Sequence, residues 1–314
     1  MAHIVALVIA CVLLAFIAWA HVGKGGLAGT KLSNDSPWGL YIVGFFYLGS
    51  IAVGMLCILA VSLLFQPGMA SLTRALAYVV GFMVAAGLLI VFDLGRPLRL
   101  PAMLVGNPAS LLVWDLYLCA AVVVIAIGSL VARAAIGMPL AGLMFVVGVG
   151  AFLVHSRLFV QYQYAGQRAD RLSYVLEGLM NGFAVLFAVQ LFHTGAVPEP
   201  LVLAAVVIAI ARVLVELAHS VAPGELVVGI VEAVLLFLYK AYPNPAVAGL
   251  ALLVILIHGL VSKLGAVDSF GATYPARAIA GRPRSYRPTS HEYAVLVASI
   301  IMAICIGVAL EWLA

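Results

Sequence analysis

The chain has 314 residues, of which 66% are hydrophobic and only 9% are Asp, Glu, Lys or Arg, and its formal net charge is +4. Soluble domains carry about 25% charged residues, so this composition excludes a water-soluble fold of this size. Only helices and closed β-barrels satisfy the backbone polar groups of a chain in lipid. The apolar runs lack the alternation of apolar and polar residues that is typical of barrel strands, so they indicate helices. The sequence predicts an all-α, polytopic integral membrane protein.

Apolar runs of about 20 residues, the length that crosses a bilayer, predict about ten transmembrane helices. The first run is followed, not preceded, by its nearest cations, Lys24 and Lys31. A secretory signal carries its positive charge before the apolar run, so we predict a retained first helix. In chain order the predicted spans are 4–20, 38–65, 72–92, 111–132, 139–160, 172–193, 201–219, 225–240, 246–264 and 292–313.

The cysteines lie singly inside apolar runs and form no Cys-x-x-Cys pair, as is typical of buried Cys that acts as a small hydrophobe. We therefore predict no iron–sulfur cluster, zinc site or disulfide framework in this chain. The four cysteines are Cys11, Cys57, Cys119 and Cys305.

The cations gather on one side of the predicted membrane. We call face A the side that carries the loop after the first helix, and face B the other side. Counting helix ends with the nearest face, face A holds twelve Lys and Arg residues and face B holds three. The positive-inside rule then predicts that face A is cytoplasmic and that both termini lie outside the plasma membrane. Alternatively, face A is basic because it docks an acidic partner.

Ionisable residues inside spans cost about 2.5–3.5 kcal/mol each on insertion and are usually functional. Here they concentrate in the half of the membrane next to face A. This set comprises Asp115, His155, Glu177, Arg212, Glu216, His219 and His258, with Glu232 deeper.

Such a cluster suits a proton-coupled redox site, because quinol oxidation releases protons that a carboxylate or histidine must accept. A structural interpretation stays open. Arg212 and Glu216, four residues apart, could neutralise each other on one helix face. Glu177 and His219 could lie where water reaches them.

Aromatic side chains near the same helix ends could line a flat-ring site, but Trp and Tyr there are often interfacial anchors. We favour anchoring for Tyr162, Tyr164 and Trp312. The remaining candidates are Tyr41, Tyr47, Trp114 and Tyr117.

Several short motifs at helix ends together resemble the NrfD/polysulfide reductase membrane-subunit family. They are Ser36-Pro37-Trp38-Gly39-Leu40-Tyr41 with the small residues Gly49, Ala52 and Gly54; Asp93-Leu94-Gly95-Arg96-Pro97; Asn107-Pro108 through Val113-Trp114-Asp115; Val154-His155-Ser156; and Tyr286 to Glu292. The resemblance covers most of 36–313.

The resemblance implies two four-helix bundles, at 37–165 and 166–264, after a peripheral helix and loop at 1–36 and before a basic loop and last helix at 265–314. The extra first and last helices resemble those of the larger family members, which are found with hydrogenases, Dsr-type complexes and alternative complex III. The resemblance implies that the chain exchanges electrons between a membrane quinone (menaquinone or similar) and an iron–sulfur subunit. It also implies that this exchange is coupled to proton translocation. The chain itself would carry no haem and would be no enzyme alone. Through its partner it would serve a catalytic subunit of molybdopterin or Hdr/Dsr type.

Residue by residue, the resemblance assigns quinone chemistry to Asp115 and His155, with Glu216 as a looser match. Some members use Asn and His on the first core helix as quinone ligands, whereas Gly44 and Leu48 stand there in this chain.

We therefore predict a quinone site in the face A half of the first bundle, with Tyr41 and Trp114 near the ring. A proton route would follow through Arg212, Glu216, Glu232 and His258.

Two other functions stay open. A haem b subunit could use two of His155, His219 and His258 as axial ligands. A transporter or proton channel without redox chemistry is the second, although transporters often break helices near the midplane and the prolines here lie at helix ends or in loops.

Overall fold

The computed structural model describes residues 1–23, 39–65, 73–93, 109–132, 137–161, 171–218, 223–273 and 286–313, with a few positions between them. The side chains of 161 and 266–273 are outside the described set. So are most of the face A loops, with their cations, and Trp38, Gly95, Pro97, Pro108, Tyr162, Tyr164 and His219.

Ten long helices and no strand make up the described part of the chain, which confirms the predicted all-α, polytopic class. They are α1 (Ala2–Gly23), α2 (Leu40–Phe65), α3 (Ala75–Asp93), α4 (Leu111–Ala132), α5 (Met138–Gln161), α6 (Arg171–Thr194), α7 (Glu199–Ala218), α8 (Pro223–Ala241), α9 (Pro245–Thr273) and α10 (Ser290–Leu310), followed by a 3₁₀ turn at Glu311–Leu313.

Nine of these helices are long and apolar enough to cross a membrane. The tenth, α8, matches a predicted span in position but carries Glu225, Glu232 and Lys240 within its 19 residues. α9 differs most from its prediction, because it continues to Thr273, nine residues beyond the predicted end at 264.

Short sequence signals explain several helix boundaries. Asn107 accepts a hydrogen bond from the backbone of Ala109 just before α4, and Asn244 does the same for Ala246 at the start of α9. Thr289 and Glu292 form a capping box that starts α10.

α2 is the central helix of the protein. Its residues from Leu40 to Ala60 are all buried, and it packs against α3, α5, α6, α9 and α10. α7, α8 and α9 pack together with α6, whereas α1 and α10 pack on the side of α3. The domain boundaries given by the sequence stay a prediction.

Glycines let the backbones of α2 and α6 meet. A Cβ on Gly54 would lie 2.2 Å from the carbonyl oxygen of Gly178, and one on Gly182 would lie 2.5 Å from the Met55 nitrogen. Small residues at such crossings allow the close backbone packing on which membrane helices depend.

Contacts between helix ends show which ends share a face. Tyr41 at the start of α2 contacts His291 at the start of α10 and His21 at the end of α1. At the opposite end, His193 of α6 meets Glu311 after α10. The first group marks face A and the second marks face B.

Candidate functional site

Asp115 and His155 form a buried pair between α4 and α5. Asp115 is the fifth residue of α4, and His155 lies six residues before the end of α5. Asp115 Oδ1 is 2.5 Å from His155 Nδ1, and each side chain is 1% exposed. The sequence-predicted quinone residues are therefore brought into direct contact, in the face A half of the protein.

His155 is enclosed by α2 and by aromatic rings. Its Nε2 would be 2.8 Å from a Cβ on Gly49, so the glycine makes room for the imidazole. Phe45 lies 5.0 Å from the imidazole between ring centroids, Phe46 lies 5.4 Å away and Tyr174 lies 6.4 Å away. Within the described part of the chain, His155 Nε2 has no hydrogen-bond partner.

Cys119, one turn after Asp115 on α4, completes a set of potential metal ligands. One ligand atom from each of Asp115, Cys119 and His155 lies within 4.8 Å of the others, and all three residues are buried. The set offers one O, one S and one N ligand, a combination that zinc accepts. The sequence predicts Cys119 as a small hydrophobe, and its burial agrees with that role as well.

A second buried polar cluster lies among α7, α8 and α9. Arg212 Nε donates to Glu216 over 2.9 Å, and its NH1 nitrogen donates to Glu232 over 3.1 Å. His258 Nδ1 is 2.8 Å from Glu232, and its Nε2 is 3.3 Å from Arg212 NH2. The four residues predicted as a proton route are thus one connected network.

The structural interpretation of Arg212 and Glu216 is also supported, because the two residues do pair at i,i+4. The pairing extends to Glu232 on the neighbouring helix, however, and Glu232 is fully buried. Charge neutralisation within one helix face is therefore only part of the arrangement.

The sequence predicts Lys263 at the face A end of the ninth span, but it is not at the end of a helix. α9 continues for ten residues beyond Lys263, about 15 Å of helix. The ammonium is buried, pairs with Glu177 and lies 4.3 Å from the centre of the Tyr174 ring. Ser262 donates a second hydrogen bond to Glu177 over 2.8 Å, so Glu177 is buried and paired instead of solvated.

The Lys263–Glu177 pair adjoins the Asp115–His155 pair through Tyr174. Tyr174 contacts Lys263 on one side and the His155 ring on the other. Nearby, the Asn181 side chain on α6 is fully buried, and its amide has no hydrogen-bond partner among the described residues. Sequence reasoning missed Asn181 although an Asn inside an apolar span was a visible signal.

The two aromatic residues predicted near the quinone ring, Tyr41 and Trp114, contact different groups of side chains. The Tyr41 hydroxyl is 3.2 Å from His291 Nε2, and its ring is 5.9 Å from His21. Trp114 is half exposed and contacts Tyr117 at 6.1 Å between ring centroids. Tyr41 therefore belongs to a third group of polar side chains at face A, which also includes Asp93, Tyr286 and Glu292.

The histidines bear on the haem alternative. His258 uses both ring nitrogens within the Arg212 network, so neither is available to iron in this arrangement. His155 lies in another group of helices, against Asp115. His219 lies outside the described residues.

Comparison with curated proteins gives no significant match. Comparison with protein families matches residues 29–215 to the family described as polysulphide reductase, NrfD. The match covers more than half of the chain and includes the Asp115–His155 pair, and it confirms the resemblance seen in the helix-end motifs. Members of this family partner with iron–sulfur and catalytic subunits in membrane complexes. The chain belongs to the NrfD family and is a multi-pass membrane subunit of the quinone-linked reductase type.

Proposed function

We propose that this chain exchanges electrons between a membrane quinone and an iron–sulfur partner subunit, and that Asp115 and His155 handle the protons of that reaction. The observation that carries the proposal is the contact of a carboxylate with an imidazole at 2.5 Å, where each side chain is 1% exposed. Ionisable groups at such depth are costly, and they mark proton relays and ligand sites.

The chemistry of the pair suits a quinone better than a purely structural role. Oxidation of a quinol releases two electrons and two protons, and reduction of a quinone takes them up. A histidine within hydrogen-bond reach of a ring oxygen accepts or gives one proton, and the adjacent carboxylate stabilises the imidazolium. Nδ1 of His155 faces Asp115, so Nε2, which has no partner among the described residues, is the nitrogen left for that exchange once the ring turns away from Gly49.

Glu216 is the looser match to the family among the proposed catalytic residues, and it lies in the Arg212 network. Tyr41 and Trp114 remain proposed ring-lining residues through their place on α2 and α4 at face A. The quinone, menaquinone or a similar molecule, is a substrate that diffuses in from lipid. The chain carries neither haem nor iron–sulfur cluster in this proposal, so the electron relay belongs to the partner.

Protons reach or leave the site through the second cluster. The contacts run from His155 across Tyr174 to Lys263 and Glu177. The network of Arg212, Glu216, Glu232 and His258 lies in α7, α8 and α9, and its His258 is five residues before Lys263 on α9. Buried charged side chains placed in this manner support coupling of quinone chemistry to proton translocation.

The partner docks on face A, close to the proposed quinone site, and the basic loops there are cytoplasmic. The catalytic subunit behind it, of molybdopterin or Hdr/Dsr type, determines the terminal substrate.

The test is isolation of the native complex with its lipids, followed by mass spectrometry and an optical spectrum. Co-purified quinone and an iron–sulfur subunit, without haem in this chain, are expected. A protein that purifies without quinone and without a redox partner would overturn the proposal.

Variants then assign the site. Asp115→Asn and His155→Gln are expected to slow quinol-dependent reduction of the partner while the complex still assembles. The matched control is His193→Gln, because His193 and Glu311 form a similar pair at 2.6 Å on face B. Equal loss in the control would show that the effect is structural.

A further inference from the structure

A long groove runs along the outside of α5 and α6, and its face B half is apolar. Its first cavity, of about 410 Å³, lies among α2, α5, α6 and α7. Phe145, Phe152 and Phe183 line it together with aliphatic side chains. Phe65 and Pro200 place its outer end near face B.

Two further cavities continue the groove toward face A. The second, of about 620 Å³, shares Leu153 and Val175 with the first. The third, of about 710 Å³, shares Arg157 and Arg171 with the second and reaches Trp114. The groove therefore passes from an apolar half to a basic end.

The two arginines come from different helices. Arg157 is near the end of α5 and Arg171 is the first residue of α6. Both side chains are exposed, and both line the same two cavities. Guanidinium groups bind phosphate oxygens in bidentate fashion, which makes such a pair suitable for a phosphate at the membrane surface.

The length of the groove fits a lipid chain. Phe145 and Arg157 are twelve residues apart on α5, which is about 18 Å along the helix. Half of the hydrocarbon core of a bilayer is about 15 Å thick. A headgroup at the arginines would thus place an acyl chain along the full leaflet, beside Leu153 and Phe152.

We infer that this groove binds an anionic glycerophospholipid of the face A leaflet, with its phosphate at Arg157 and Arg171 and an acyl chain against Phe152 and Leu153. The charge of the arginines selects this occupant. A quinone has an apolar tail that fits the groove, but its head is uncharged and gains little from two guanidinium groups. A zwitterionic lipid such as phosphatidylcholine carries the same phosphate, but its headgroup also has a positive charge, which the two arginines repel.

The experiment is native mass spectrometry of the protein released from nanodiscs of phosphatidylcholine with added phosphatidylglycerol. The wild type is expected to retain a phosphatidylglycerol molecule. The double variant Arg157→Gln/Arg171→Gln is expected to retain it at least about tenfold less, as the loss of two charge-assisted hydrogen bonds implies. Arg74→Gln is the control, since Arg74 is an exposed arginine before α3.

A second variant tests the apolar half without changing charge. Val175→Phe would fill part of the groove where its first two cavities meet, since Val175 lines both, and it is expected to lower retention while the arginines remain. Equal retention in the double variant and in Arg74→Gln would overturn the inference. So would equal retention of phosphatidylcholine, or recovery of quinone instead of phospholipid from this groove.

Discussion

Replacing Arg212 by leucine tests whether the second cluster is a set of buried charges that depend on one another. Arg212 is 4% exposed. It donates to Glu216 at 2.9 Å and to Glu232 at 3.1 Å. Without the guanidinium, two carboxylates would be left in the membrane interior, with His258 as the hydrogen-bond partner that remains for Glu232 among the described residues. Removal of one member of a buried ion pair typically costs about 3–5 kcal/mol.

We therefore expect Arg212→Leu to lower the free energy of unfolding by about 3–5 kcal/mol. The assay is reversible SDS unfolding in mixed micelles, with helix content as the signal. The double variant Arg212→Leu/Glu232→Gln is expected to recover part of the loss, because it removes a carboxylate that the arginine neutralised. The control Lys240→Gln breaks an exposed pair with Glu199 at 3.9 Å and should cost no more than about 1 kcal/mol.

A loss of less than about 1 kcal/mol in Arg212→Leu would refute this reasoning, since the residue would then behave as a surface cation. A double variant less stable than Arg212→Leu would refute the claim that Glu232 is charged and balanced by Arg212.

Two further substitutions test the fold. Gly54→Ala is expected to destabilise the protein by several kcal/mol, because the added Cβ would lie 2.2 Å from the carbonyl oxygen of Gly178. The control Gly128→Ala should leave stability unchanged, because a Cβ on Gly128 meets nothing within 4 Å. Similar SDS-unfolding results for the two variants would contradict the packing of α2 on α6. Thr289→Ala is expected to lower the free energy of unfolding by about 1 kcal/mol, because it removes the capping box at the start of α10. The same unfolding assay measures this change, and an unchanged free energy would show that the cap is not formed.

The hydropathy of the sequence predicted nearly all of the fold, because a chain in lipid must satisfy its backbone polar groups internally and few structures do so. Ten helices of the described part lie where the apolar runs predict them, and nine of these are long and apolar enough to cross a membrane. The exception is the end of α9. The apolar run ends at 264 and predicts that the helix ends there, whereas the helix continues to Thr273. A helix that extends beyond the bilayer needs no apolar sequence, so hydropathy cannot locate its end.

The candidate site was predictable in its residue types but not in its pairings. Asp115 and His155 were recognisable because charged groups are rare inside spans, and the family motifs identified both. That Lys263 pairs with Glu177 depends on how α9 rotates against α6, which no local pattern encodes. The same is true of Arg212 and Glu232, whose contact joins two helices.

The most direct test of the central claim is the rate at which quinol reduces the iron–sulfur centres of the partner in the purified complex, followed by rapid-mixing spectroscopy. The account predicts that His155→Gln slows this reduction about 10²-fold or more, as loss of a general base implies, while the control His193→Gln leaves the rate unchanged. A His155→Gln complex that assembles normally and is reduced at the wild-type rate would contradict the assignment of quinone chemistry to the Asp115–His155 pair.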